Sequence, residues 1–104
     1  MTGKKALQRT PEDTVATALA EVLPGDAVRI VMGGEETGAV LEALEAVPLG
    51  FKVAVRAMAA GDPVIKYAHV IGRATRGIAP GACVHVHNIE GCRGRGDLAQ
   101  EKTA

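Results

Sequence analysis

Apolar residues along this chain fall in short clusters separated by glycine and proline, and one spacing returns at four places. Gly25 is followed three positions later by Val28, Gly50 by Val53, Gly61 by Val64 and Gly81 by Val84. Each glycine lies in a turn-forming group: Leu23-Pro24-Gly25-Asp26, Val47-Pro48-Leu49-Gly50, Ala60-Gly61-Asp62-Pro63 and Ala79-Pro80-Gly81-Ala82. Proline presets φ at one turn position and glycine supplies a positive φ at the next, so each group is expected to reverse the chain and launch a strand. The segments that follow, Ala27 to Met32, Lys52 to Arg56, Val64 to Tyr67 and Cys83 to Ile89, are short and rich in β-branched residues. Short strands at such intervals predict a small, mostly β domain, barrel-like or clip-like, and not a βαβ unit.

Two segments read differently on local grounds. Thr14 to Val22 is alanine-rich and Asp13 stands where it could cap a helix. Thr37 to Ala46 also contains good helix formers, although Gly38 interrupts it. Both alternate well enough to be strands, but taken locally each is expected to be a helix. Met1 to Pro11 reads as a loose N-terminal arm, residues 12–90 as the folded domain, and Gly91 to Ala104 as a polar tail.

Composition narrows the function classes. The chain has 104 residues, which suits one domain with a modest core. Twelve basic residues balance twelve acidic ones, which argues against nucleic-acid or membrane-surface binding through bulk charge. One Phe, one Tyr and no Trp make a base-stacking surface a poor fit. No apolar run approaches the ~20 residues of a membrane helix, and no signal segment follows Met1, so a soluble cytoplasmic protein is expected. Cys83 and Cys92 do not make a disulfide framework and read as reduced thiols.

Four groups of residues carry candidate chemistry. If Cys83-Val84-His85-Val86-His87-Asn88 is one strand, Cys83, His85 and His87 share a face, an arrangement that suits zinc or iron and equally suits a polar outer face. Lys52 follows a tight turn, where it could neutralise a carboxylate or an enolate, or lie solvated. Lys66 and Tyr67 could form part of a polar pocket, or Tyr67 could be a core aromatic with its hydroxyl at the surface, beside His69. Arg93 and Arg95, flanked by glycines, suit an anion or an acidic partner surface, or a solvated tail. No Ser-His-Asp set, phosphate loop or carboxylate pair is recognisable, and Gly33-Gly34 reads as a turn.

Read together, Val47 to Val55, Gly61 to Tyr67, Val70 to Thr75 and His85 to Asn88 resemble the SAF domain of altronate and galactarate dehydratases, in the form found as a separate small subunit. Asp13 to Leu19 and Arg93 to Leu98 are similar too. The resemblance implies a β-clip fold, with Thr14 to Leu19 and Thr37 to Leu44 as strands in place of the local helix readings. It also implies a large dehydratase subunit as partner, a sugar-acid substrate, and β-elimination of water with a divalent metal, iron or manganese, held mainly by that partner. A similar two-chain arrangement in sulfolactate sulfo-lyase expels sulfite, a non-catalytic assembly module is a further alternative, and a homo-oligomer is compatible with each. On this reading Lys52 is the candidate catalytic residue, Lys66, Tyr67 and Asn88 bind substrate, and His85 and His87 are candidate metal ligands. Two departures stand out: Phe51 replaces the histidine of the family's Gly-His-Lys, and Tyr67-Ala68-His69 replaces Tyr-Gly-Glu.

Overall fold

Each of the four glycine turns launches a strand, and the turns pair with one another. The computed structural model describes residues 3–91, and every regular element among them is a strand. These are β1 (Lys4–Leu7), β2 (Val15–Ala18), β3 (Ala27–Met32), β4 (Glu35–Glu42), β5 (Lys52–Ala54), β6 (Pro63–Lys66), β7 (His69–Ala74), β8 (Cys83–Val84) and β9 (Ile89–Gly91). In the four turns the backbone N–H of Asp26, Phe51, Asp62 and Ala82 donates to the carbonyl three residues earlier. The four glycines hold φ between 86° and 93°, the conformation that the third turn position demands. The apolar residue before each turn is buried and paired: Val22 with Val47, and Met58 with Ile78, each pair exchanging two backbone hydrogen bonds. One local motif, used four times, therefore gives two similar double-turn units.

The strands form a six-stranded sheet, ordered β4-β3-β1-β2-β5-β8, and a three-stranded sheet, β6-β7-β9. All neighbours are antiparallel except β1 and β3. β2 and β5 separate two apolar clusters. Ala16, Ala18 and Val53 face the first with Val22, Val28, Ile30 and Val47, while Val15 and Ala54 face the second with Met58, Val64, Ile78 and Val84. Strands buried on both sides need small side chains where the layers approach closely, so alanine here serves packing and not helix formation. The strand that the resemblance implied over Thr14 to Leu19 is thus β2, Val15–Ala18, and the local helix reading of Thr14 to Val22 does not hold. Thr37 to Leu44 falls mostly in β4, whose Gly38 has φ of 90° and whose hairpin with β3 turns at Gly33-Gly34.

Two boundaries differ from expectation. Lys4–Leu7, assigned above to a loose arm, is an interior strand of the larger sheet: it pairs with β2 and β3, and Ala6 is fully buried. The lysines flanking Ala6 disguised it, since a four-residue strand leaves little alternation to detect. Cys83 to Ile89 is also not one strand. It divides into β8 and β9 around a turn at residues 85–88, and β9 belongs to the other sheet. The polar tail beyond Gly91, with Arg93 and Arg95, lies outside the described residues.

Equivalent turn glycines are not equally replaceable. A β-carbon on Gly50 would meet no atom within 4 Å, whereas one on Gly81 would run into the Glu42 carbonyl oxygen. Gly50→Ala should cost about 1–2 kcal/mol, the left-handed backbone term alone. Gly81→Ala should cost about 2–5 kcal/mol once the steric overlap is added. Equal losses for the two in urea denaturation would contradict this difference.

Candidate functional site

Lys52 and Cys83 lie on the β5–β8 pair, His85, His87 and Asn88 in the turn after it, and Lys66 and Tyr67 at the β6–β7 hairpin. Lys52 pairs with Thr17 on one side and Val84 on the other, and Val53 pairs with Cys83. Alternation along β5 puts Lys52 on the side of Ala54 and Val84, toward the second apolar cluster. Phe51 packs instead against the first cluster, which contains Val53 and Cys83, and its ring lies 4.5 Å, centroid to centroid, from that of His85. The register that sets Lys52 opposite Val84 also sets Phe51 opposite His85.

The His85 side is built mainly by Asn88. Its Oδ1 accepts the His85 N–H at 3.0 Å, and its Nδ2 donates to the Cys83 carbonyl at 2.9 Å. With backbone bonds from the Asn88 and Ile89 N–H groups to the His85 carbonyl, this closes the turn between β8 and β9. Asn88, expected to bind substrate, is 4% exposed and uses its side chain to hold this turn. The expected sharing of one face by Cys83, His85 and His87 also fails, because the strand ends at Val84. Cys83 is buried with its N–H on Glu45 Oε2 at 2.9 Å, His85 is half-buried against Phe51, and His87 lies on the exposed turn, its carbonyl accepting from Arg76. Burial, and then the Glu45 carboxylate, push the Cys83 thiol above its ordinary pKa, with Lys52 opposing. A thiol held protonated is a poor ligand. Among the described residues no group of three or more His, Cys, Asp or Glu side chains gathers as a metal site, so these residues alone do not fit the divalent metal that the resemblance implies.

The Lys52 side is cationic. Burial first, and the charge of Lys66 second, lower the Lys52 pKa from its ordinary value, with Cys83 acting in the opposite sense. Lys66 ends β6 and its Nζ lies 5.0 Å from the centroid of the Tyr67 ring, while the Arg9 guanidinium carbon lies 4.8 Å from the same centroid. Arg9 was missed by sequence reading because it sits in the segment taken for a loose arm. Lys66, Tyr67 and Arg9 lie together at the hairpin tip, and the Lys66 charge acts on Lys52. Among the described residues the ion pairs join Lys4 to Asp26, and Lys5 and Arg29 to Glu36, so none neutralises this group.

Asp13 holds this side together. Tyr67 and Ala68 form the two-residue loop between Lys66 and His69, and both have positive φ, 56° and 64°, the arrangement of a type I′ hairpin turn. The Asp13 carboxylate caps that loop. Oδ2 accepts the N–H of Tyr67 at 3.0 Å and Oδ1 that of Ala68 at 2.8 Å. It also accepts the N–H groups of Arg9 and Thr10, and the Thr10 hydroxyl at 2.6 Å. Asp13 is 1% exposed; burial by itself would raise its pKa, but the bonds from Thr10, Ala68, Tyr67 and Arg9 outweigh that and leave it below the ordinary carboxylate value. Its sequence position suggested a helix cap, but the structure makes it the cap of a hairpin 54 residues away.

Residues 4–91 match the family described as the altronate/galactarate dehydratase SAF domain. The chain is 45% identical over 49 residues to (2R)-sulfolactate sulfo-lyase subunit alpha of Chromohalobacter salexigens, covering 47% of this chain and 52% of that one. It is 46% identical over 44 residues to the same subunit of Paracoccus pantotrophus, covering 42% of this chain and 66% of that one. Against altronate dehydratase of Bacillus subtilis it is 29% identical over 79 residues, 76% of this chain but 15% of that enzyme. The matches thus span half to two thirds of the sulfo-lyase subunits and a small part of the dehydratase.

Two outcomes follow from the Asp13 cap. Because its folded pKa is depressed, Asp13 contributes stability that is fully present above the unfolded value of about 3.9 and is lost as pH falls through the lower folded value. Asp13→Asn should be destabilised by about 2–4 kcal/mol at pH 7, through lost charge-assisted bonds and unsatisfied N–H groups, and should lose less further stability on acidification than the parent. Denaturant midpoints at pH 7 and below pH 4 check both. Ala68→Gly should stabilise by about 1 kcal/mol, since glycine relieves the left-handed strain at this position, and an unchanged or lowered Tm would contradict it.

Proposed function

The chain belongs to the altronate/galactarate dehydratase SAF-domain family, and from that premise we propose that it is the small subunit of a lyase acting on a small organic acid, working with a separate large subunit. The observation that carries this reading is the cationic wall of Lys52, Lys66 and Tyr67, which no carboxylate side chain neutralises among the described residues. A partly buried ammonium attracts an anion more strongly than one in open water. Lys52 would hold the substrate carboxylate, or the enolate charge that develops when the proton beside it leaves. In the elimination the C–H bond and the bond to the β leaving group break, a C=C bond forms, and the leaving group departs as water or as sulfite.

This chain supplies positioning and charge, and a large partner would supply the base that takes the proton. Two of the relatives are named as alpha subunits, which supports a multi-chain assembly. Leu49, 65% exposed, and Val86, 78% exposed, flank the Phe51–His85 pair in sequence and offer apolar contact to such a partner. Any divalent metal would be held mainly by the partner, with His85 or His87 contributing at most part of its ligand set. A sugar acid is the proposed substrate and sulfolactate the alternative, since the chain is similar both to an altronate dehydratase and to sulfo-lyase subunits. Among the described residues no helix is long and apolar enough to cross a membrane.

The test is co-expression with a candidate large dehydratase or sulfo-lyase subunit from the same genome, followed by assays for altronate or galactarate dehydration and for sulfite release from sulfolactate, with manganese or iron added. Lys52→Ala should still co-purify but lose about 10²-fold or more in kcat, the scale of removing one charge stabiliser. The alkaline limb of kcat/KM should fall below the ordinary lysine range of about 10.4, because the free-enzyme pKa of Lys52 is lowered. Absence of co-purification together with absence of turnover would overturn the proposal.

A further inference from the structure

The cationic wall contains more positive charge than one carboxylate requires. Arg9 and Lys66 both lie within 5.0 Å of the Tyr67 ring centroid, and the Lys66 charge reaches Lys52. The nearby carboxylate, Asp13, is buried and already accepts bonds from Tyr67, Ala68, Arg9 and Thr10. Glu12 is exposed on the same connection and joins no ion pair among the described residues. Tyr67 is 43% exposed, so its ring and the two cations are open to a ligand. Asp13 commits its oxygens to backbone N–H groups and Thr10, so among the described residues Arg9, Lys66 and Lys52 have no ion-pair partner. An incoming anion relieves their mutual repulsion as well as forming its own contacts. A ligand with one carboxylate, engaged by Lys52, would leave Arg9 and Lys66 unneutralised.

We propose that Arg9, Lys66 and the Tyr67 ring form a second anion subsite beside Lys52, which selects small organic acids with two anionic groups over those with one. The inference rests on the small-subunit reading above for the nature of the ligand, but the subsite itself belongs to this chain. Arg9 presents a planar fork that suits a carboxylate or a sulfonate, and Tyr67 orients it through its ring face. The backbone of Arg9 and that of Tyr67 are both tied to the Asp13 carboxylate, so the two halves of the subsite are held in a fixed relation before any ligand arrives. This makes Arg9 the residue that distinguishes a diacid from a monoacid.

The test uses the full-length ¹⁵N-labelled chain, titrated with malonate and with acetate at constant ionic strength while backbone amide shifts are followed. Malonate should move the Arg9, Tyr67 and Ala68 signals and bind roughly tenfold or more tightly than acetate, as one additional charge-assisted contact allows. Arg9→Ala should bring malonate down to the acetate level, Lys66→Ala should do so in part, and Arg9→Lys should retain some preference. Equal affinities in the parent, or a preference that survives both alanine substitutions, would overturn the subsite. Those outcomes are independent of the partner. A malonate preference in the chain combined with neither co-purification nor turnover on co-expression would uphold the subsite and refute the lyase reading, whereas an active complex on a chain without the preference would do the reverse.

Discussion

The carboxylate of Asp13 accepts hydrogen bonds from the residues just before it and from a hairpin tip 54 and 55 residues after it, and the cationic side of the molecule is arranged around it. On one side are the backbone of Arg9 and the backbone and hydroxyl of Thr10, in the connection from β1 to β2. On the other is the hairpin tip at Tyr67 and Ala68, where two non-glycine residues hold positive φ. A charged acceptor is the group best able to offset that backbone strain, because bonds to an ionised oxygen are about twice as strong as neutral ones. Thr14 continues the link, exchanging hydrogen bonds with Ile65 through its backbone and its hydroxyl. The junction between the two sheets and the placement of Arg9, Lys66 and Tyr67 are therefore consequences of the same polar contact.

The cores on either side of β2 and β5 are made of valine, alanine and isoleucine with little help from larger groups. Precision in such a core comes from backbone geometry more than from the interlocking of large side chains. The paired turns at Val22 and Val47, and at Met58 and Ile78, supply it through two-way backbone bonds between buried residues. The same turns fix the register of β5 against β8, and that register sends Lys52 to one face and Phe51 with His85 to the other. A lysine and a histidine neighbouring one another across a strand pair are thereby separated into different environments. The chemistry follows this division: unneutralised cations on one side, and on the other an aromatic and imidazole pair supported by Asn88 beside a protonated thiol.

Phe51 is the point at which this chain departs most from the pattern it resembles, and its surroundings are well defined. Its backbone closes the second glycine turn and accepts a bond from Ala18, while its ring packs against the first core and against His85. An imidazole is thus still present at this place in the sheet, but it arrives from the turn after β8. A surface of that kind, with Leu49 and Val86 beside it in sequence, is consistent with contact to another chain.

Local chemistry determined a good part of this protein. The recurrence of glycine three residues before valine defined the turns and the strands after them, because positive φ and β-branching act within a few residues. The contact of Lys66 with Tyr67 was legible too, because the two are adjacent in sequence. Other features were decided only when distant segments met. Ala16 and Ala18 became strand residues because two cores close on β2 from opposite sides, a demand that overrides helix propensity. Lys4–Leu7 became an interior strand because β3 and β2 pair with it. The strand through the histidines ended at Val84 because Asn88 folds back on His85 and Cys83. Arg9 and Asp13 acquired their roles from a hairpin more than fifty residues away. Hydrogen bonds and charges act across space, and their partners are adjacent only after the chain has folded.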